Sequence, residues 1–73
     1  LPTDGRTLRL PDDVKLVDAE YVVIESMTGT IVATRPIQAG IIHVSMLKNG
    51  VYTVRTLDRK HVTHRLGMLI LKR

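Results

Sequence analysis

Three histidines, two serines and a run of cations are the side chains through which this sequence could do chemistry, and each implies a different reaction. His61 and His64 stand where a metal-ligand pair would be sought. A shared ion needs both imidazoles on one face, whereas residues three apart on an extended strand point to opposite faces. His43 has no partner at ligand spacing, so the sequence predicts no metal site. Ser26 and Ser45 are the candidate nucleophiles. Neither has a histidine at a motif spacing, no Cys stands in for them and no glycine-rich phosphate loop occurs. The sequence therefore predicts neither an enzyme nor a bound cofactor.

The cations offer the remaining chemistry, which is attraction. The formal net charge is +4, and it is placed unevenly: residues 1–36 carry −2 and residues 37–73 carry +6. Clustered Lys and Arg raise the local potential and favour an acidic partner, such as nucleic acid, anionic lipid or an acidic protein face. Arg55, Arg59, Lys60 and Arg65 could line a hairpin in that role. Single-strand binders add aromatic platforms, and this chain has two Tyr with no Phe or Trp. A small basic β-barrel that binds nucleic acid is accordingly the alternative, and nucleic acid is not the partner expected first.

The elements that hold these residues are strands. Nine Val, six Ile and eight Thr stand against three Ala, and β-branched side chains fit a pleated, half-buried surface better than a helix. Short alternating runs separated by turn residues predict an all-β sandwich or barrel. The first run, residues 7–10, points Leu8 and Leu10 one way before the turn Pro11-Asp12-Asp13, and Val14 with Leu16 offers a short edge strand. The second, residues 20–26, is apolar on both faces and belongs in the middle of a sheet. The third, residues 31–35, stops at Pro36, which cannot donate to a central ladder. In the fourth, residues 41–45, Ile42 and Val44 face inward, with Leu47 as an anchor before Lys48-Asn49-Gly50, whose Asn-Gly pair signals a tight turn. The fifth, residues 51–57, puts Tyr52 and Val54 on one face and Thr53 and Arg55 on the other, and turns at Asp58-Arg59-Lys60 into the sixth. That last run, residues 61–71, is long enough to need a bend or to divide between two partners, and Gly67 is the place for a bulge. If Val62 and Leu66 face the core, His64 faces it too and is expected to be buried and neutral, in which case acid would weaken the domain.

At 73 residues the chain forms one domain and buries only about 60% of its unfolded surface. Without Cys it has no disulfide to supplement that core. The longest apolar stretches, residues 21–24 and 68–71, are four residues each, far below the roughly 20 that a membrane-spanning helix needs. The chain opens on Leu1 with no signal pattern, which reads as a segment, residues 1–73, cut from a longer protein.

Three stretches give the sequence a family likeness. Val22-Val23-Ile24-Glu25-Ser26-Met27-Thr28-Gly29, with Val32 at the next apolar position, is an alternating strand running into a turn glycine. Ile42-His43-Val44-Ser45-Met46-Leu47-Lys48-Asn49-Gly50-Val51-Tyr52-Thr53-Val54 holds an apolar strand end followed by Leu-x-x-Gly-Val-Tyr-x-Val, and Leu69-Ile70-Leu71-Lys72-Arg73 is an apolar strand with a basic pair. Together, over residues 19–73, they resemble the C-terminal sorting domain of proteins exported by the type IX secretion system. Two features depart from that family: only Leu1-Pro2 stands where a Pro-Asn-Pro segment opens its members, and His64-Arg65-Leu66-Gly67 interrupts the last strand.

The resemblance implies an immunoglobulin-like β-sandwich of about seven short antiparallel strands. It implies a signal that directs a parent protein through the periplasm and outer membrane to the cell surface or medium, recognised by translocon, shuttle or sortase, and either cleaved afterwards or retained. Gly50, Tyr52, Lys72 and Arg73 are the residues it assigns to partner recognition, and Val22, Ile24, Gly29, Val32, Ile42, Val44, Leu47 and Val54 those it assigns to the structural core. Independently of the family, a last strand lying on a sheet edge would offer unpaired main-chain groups to which a partner can add a strand. A structural immunoglobulin-like spacer with no recognition role is the remaining alternative.

Overall fold

The described residues form six strands: β1 (Thr7–Arg9), β2 (Ala19–Ser26), β3 (Ile31–Pro36), β4 (Ile41–His43), β5 (Gly50–Asp58) and β6 (Thr63–Leu71). They are seen in a computed structural model that describes residues 1–11, 19–37 and 40–73. The proposed edge strand at Val14 and Leu16, and most of the turns at residues 11–13 and 38–40, lie outside the described residues. No helix occurs among those described. The fold is all-β, with two antiparallel sheets, β1-β4 and β3-β2-β5-β6.

The doubly apolar run takes the central position its composition demands, for β2 is hydrogen-bonded to β3 on one side and β5 on the other. Ile24 pairs with Ala33 and with Val54, Val22 with Arg35 and Thr56, so one face of the sheet collects apolar side chains. That face meets the small sheet. Leu8 and Leu10 on one chain segment and Ile42 and Val44 on another pack against Val22, Ile24, Tyr52, Val54, Leu69 and Leu71. Leu8, Val22, Ile24, Val44, Val54 and Leu69 are completely buried. Each such side chain contributes about 1.5–3 kcal/mol relative to exposure. This shared core is what a two-layer arrangement requires, and the smallest dimension of the molecule, 17 Å, leaves room for no third layer.

Turn chemistry fixes the registers. Between β2 and β3, Gly29 takes φ +88°, a left-handed conformation costly for a residue with a Cβ. Its amide donates to the Ser26 carbonyl, and Ser26 Oγ contacts Thr28 Oγ1 at 2.8 Å. Between β5 and β6, the Asp58 carboxylate accepts from the amides of Lys60 and Val62 at 2.8 and 2.9 Å, while His61 adopts φ 62°. The hairpin predicted there forms. Gly67 sits beside the expected bulge: Val54 faces Gly67 and Arg55 faces Arg65, leaving Leu66 as the extra residue, and β6 stays with one partner throughout.

Several expectations are corrected. Asn49-Gly50 does not join paired strands, because β4 bonds to β1 and the chain crosses from the small sheet to the large one before β5. Val32 is 39% exposed, not core: β2 runs out of register with β3 between Ile24 and Glu25, so Val32 is the bulged residue and Ala33 takes the inward place. Gly29 is an exposed turn residue whose role is conformational. Val62 is 48% exposed and the His64 side chain 62%, since both lie at the hairpin end of a strand with a neighbour on one side only. His64 is therefore not the buried residue expected. Among the described residues there are six strands, where about seven were expected of the whole chain. An isolated bridge between Thr3 and Leu8, with the Arg9 amide donating to the Pro2 carbonyl at 3.2 Å, adds only a short paired segment beside β1.

Candidate functional site

The residues of the Leu-x-x-Gly-Val-Tyr segment build a corner between the two sheets. Val44 leaves β4 with its amide on the Arg6 carbonyl, and Leu47 turns back with its amide on the Val44 carbonyl. Leu47 is 7% exposed and anchors this crossover in the core. Tyr52, also 7% exposed, lies under it and donates its hydroxyl proton to the Lys48 carbonyl at 2.6 Å. A buried phenol with its one donor satisfied is a packing element. Gly50 lies beside the ring with φ +158°, and a Cβ there would meet the ring carbon and the hydroxyl oxygen at 3.7 Å, an ordinary packing distance. Of the four residues assigned to recognition, Gly50 and Tyr52 thus shape the corner, and Tyr52 turns its ring away from solvent.

Arg73 closes the same corner. Its guanidinium donates to the carbonyls of Gly5 at 2.6 Å, Leu47 at 2.5 Å and Val44 at 2.9 Å, drawing three segments together. The Asn49 side chain holds its main chain, accepting from the Arg73 amide at 3.1 Å. A planar fork with five donors suits this task as an ammonium would not. Lys72, by contrast, is exposed and makes no hydrogen bond or ion pair among the described residues. The pair read as one basic patch therefore divides into a clamp and a solvated charge.

Beside this corner runs the border of the large sheet, which β6 forms. Leu1 lies against its middle, donating to the Met68 carbonyl at 2.8 Å. That bond shows that the main-chain groups of Met68 point off the sheet, and by the two-residue alternation of an antiparallel strand those of Ile70 do so too. Among the described residues none bonds the Ile70 main chain from the open side. An open groove of about 430 Å³ lies here, lined by residues 3–6 and by Ile70, Lys72 and Arg73. Asp4 shapes its far wall: its carboxylate accepts from the Arg6 and Thr7 amides, both at 2.8 Å, and from the Thr7 hydroxyl. The Thr7 amide first, then that of Arg6, holds this carboxyl below its ordinary range. Asp58 is lowered likewise, chiefly by the Val62 amide.

The remaining surface is divided. On the outer face of the large sheet, Arg55 pairs with Glu25 at 2.7 Å amid the exposed side chains of Tyr21, Val51 and Met68. Arg59 lies 3.5 Å from Glu20, so two of the four cations expected to line a nucleic-acid stripe are engaged with carboxylates. Tyr21 is 40% exposed and Tyr52 buried, which leaves one half-open aromatic ring. No group of metal-ligating side chains occurs among the described residues. Nor is any helix among them long and apolar enough to cross a membrane.

Sequence reasoning missed the Arg73 clamp and its Asn49 partner, because nothing local marks a contact between residues 24 apart. It also missed Asp4, although Asp4-Gly5 is a turn signal of the kind used elsewhere in the chain. Comparison with known proteins returned no match to any protein-family model, curated protein or solved structure.

Proposed function

We propose that this chain is a sorting signal of the type IX secretion kind, a folded domain that a shuttle or the outer-membrane translocon recognises along β6. One observation carries the reading: β6 is a border strand whose main chain is open at Ile70, next to the corner built by Leu47, Gly50, Tyr52 and Arg73. A partner that adds a strand there gains main-chain hydrogen bonds without needing reactive side chains. The six described strands in two antiparallel sheets are compatible with a small sandwich of the immunoglobulin-like kind. The parent protein passes through the periplasm to the surface or medium, and a sortase removes the domain or leaves it in place.

The test is transport. Residues 1–73 fused behind a periplasmic reporter, in a host that has the secretion system, should bring the reporter to the cell surface. A reporter that stays in the periplasm while the domain is folded overturns the proposal. The mass of the exported fusion then distinguishes cleavage from retention. Exchanging Lys72 for Glu separates a recognised border from an inert spacer, because it alters the exposed charge without touching the Arg73 clamp.

A further inference from the structure

The open border also carries information about what would bind it. Ile70 is 61% exposed with its main chain turned to the open side, and the groove beside it is walled by Arg6, Lys72 and Arg73 against one carboxylate, Asp4. The Asp4 Oδ1 atom faces its own turn, where two amides and a hydroxyl occupy it. Arg6 and Lys72 are exposed, and both lie within the groove. Farther along the same strand stands Arg65, also exposed.

From this we infer that the groove between residues 3–6 and Ile70 takes an extended segment of another protein that carries carboxylates, added as a strand to β6. The inference rests on the reading of β6 as the recognised border and names the chemistry of its partner. Main-chain bonds to Ile70 would supply the attachment, and Arg6 and Lys72 would select acidic side chains on alternate positions. Complementary charge is what excludes the other obvious occupant, a second copy of this chain. Two β6 strands pairing antiparallel would bring Arg65 and Lys72 of one toward the cations of the other, and like charges facing each other across strands destabilise the pair. Leu1 fixes the other limit, since it already covers the border at Met68.

The probe is an acetylated and amidated octapeptide alternating Thr and Glu, with its Thr and Lys counterpart as control. Titrated into the full chain, the acidic peptide should shift the amide resonances of residues 68–73 and 5–6, with an affinity that falls about tenfold as salt rises from low to physiological strength. Arg6→Glu combined with Lys72→Glu should weaken it by about another tenfold, and Ile70→Pro, which removes the outward N–H, should abolish it. Equal binding of the basic peptide, shifts confined to β3 or to the Glu25–Arg55 face, or self-association through β6 would each overturn the inference. So would a double-Glu variant that binds like the parent, whose two exposed substitutions leave the core intact. The two readings fail separately. A chain that takes the acidic peptide but leaves the reporter in the periplasm supports the acidic-strand site and removes the sorting function. A parent chain that exports the reporter but does not bind the acidic peptide does the opposite.

Discussion

β3 and β6 both border the four-stranded sheet, yet they leave different amounts of main chain to solvent. β3 is six residues long, is bulged at Val32 and closes at Pro36, which has no N–H to offer. Shortness, a bulge and a proline are the usual means of making an edge unattractive. β6 is nine residues long and is bulged at Leu66, but its later half runs straight into Leu71 with, among the described residues, only Leu1 across it at Met68. Its protection is charge, from Arg65 and Lys72. A bulge refuses every partner, whereas charge refuses only some, so of the two borders β6 is the one equipped to discriminate.

Substitutions rank by how they treat the two borders. Ile24 pairs toward both, facing Ala33 and Val54, and Ile24→Ala should cost about 2–5 kcal/mol by leaving a cavity, seen as a lowered denaturation midpoint. Hydrogen exchange should then accelerate at β3 and β6 alike; protection surviving at one of them would show that the borders fold independently. Arg73→Ala belongs to one side only. Losing its three carbonyl partners should cost about 2 kcal/mol, with exchange accelerating in β6 and the crossover before that of β3.

Acid should also act on one side. Asp4 and Asp58 serve the groove wall and the β5–β6 hairpin, and the Thr7 and Val62 amides respectively hold their carboxyls below the ordinary carboxylate range. Their contribution is complete above the unfolded pKa and is lost as pH falls through the lowered folded value. Protection factors near β6 should fall below pH 4 or so while those of the β2–β3 turn, held by Ser26 and Thr28 hydroxyls, persist; Asp58→Asn should remove part of that pH dependence. The smallest effect is expected at Val32. Val32→Lys on an exposed bulge should change stability by no more than about 0.5 kcal/mol in a thermal melt, whereas a core position would be severely destabilised.

Much of this architecture was legible in the residues. Period-two runs located all six strands, and the two-sided apolarity of Tyr21-Val22-Val23-Ile24 placed β2 in the middle, because a strand with neighbours on both sides and cover on one face needs little polarity. Ile42, Val44, Leu47 and Val54 were placed inward and are, and Tyr52, on the same face as Val54, is buried with them. What failed were inferences that strict alternation cannot carry. Val32 lost its inward phase to a bulge that no single residue announces, and His64 kept the inward phase yet stayed wet at a strand border. In the candidate site the sequence treated Lys72 and Arg73 as one basic pair, whereas Lys72 is solvent-exposed and Arg73 is a clamp, a contact no local pattern marks because its three acceptors come from residues 26, 29 and 68 positions away.

Those three separations also set an order in time. Closing a loop costs about (3/2)RT ln n, so reaching Gly5 over 68 positions is dearer than reaching Leu47 over 26 by about 0.8 kcal/mol. On that difference the crossover is expected to capture the guanidinium first and the leading segment to dock afterwards. Refolding of a chain lacking residues 1–5 should keep the parent's rate and differ only in how fast it comes apart.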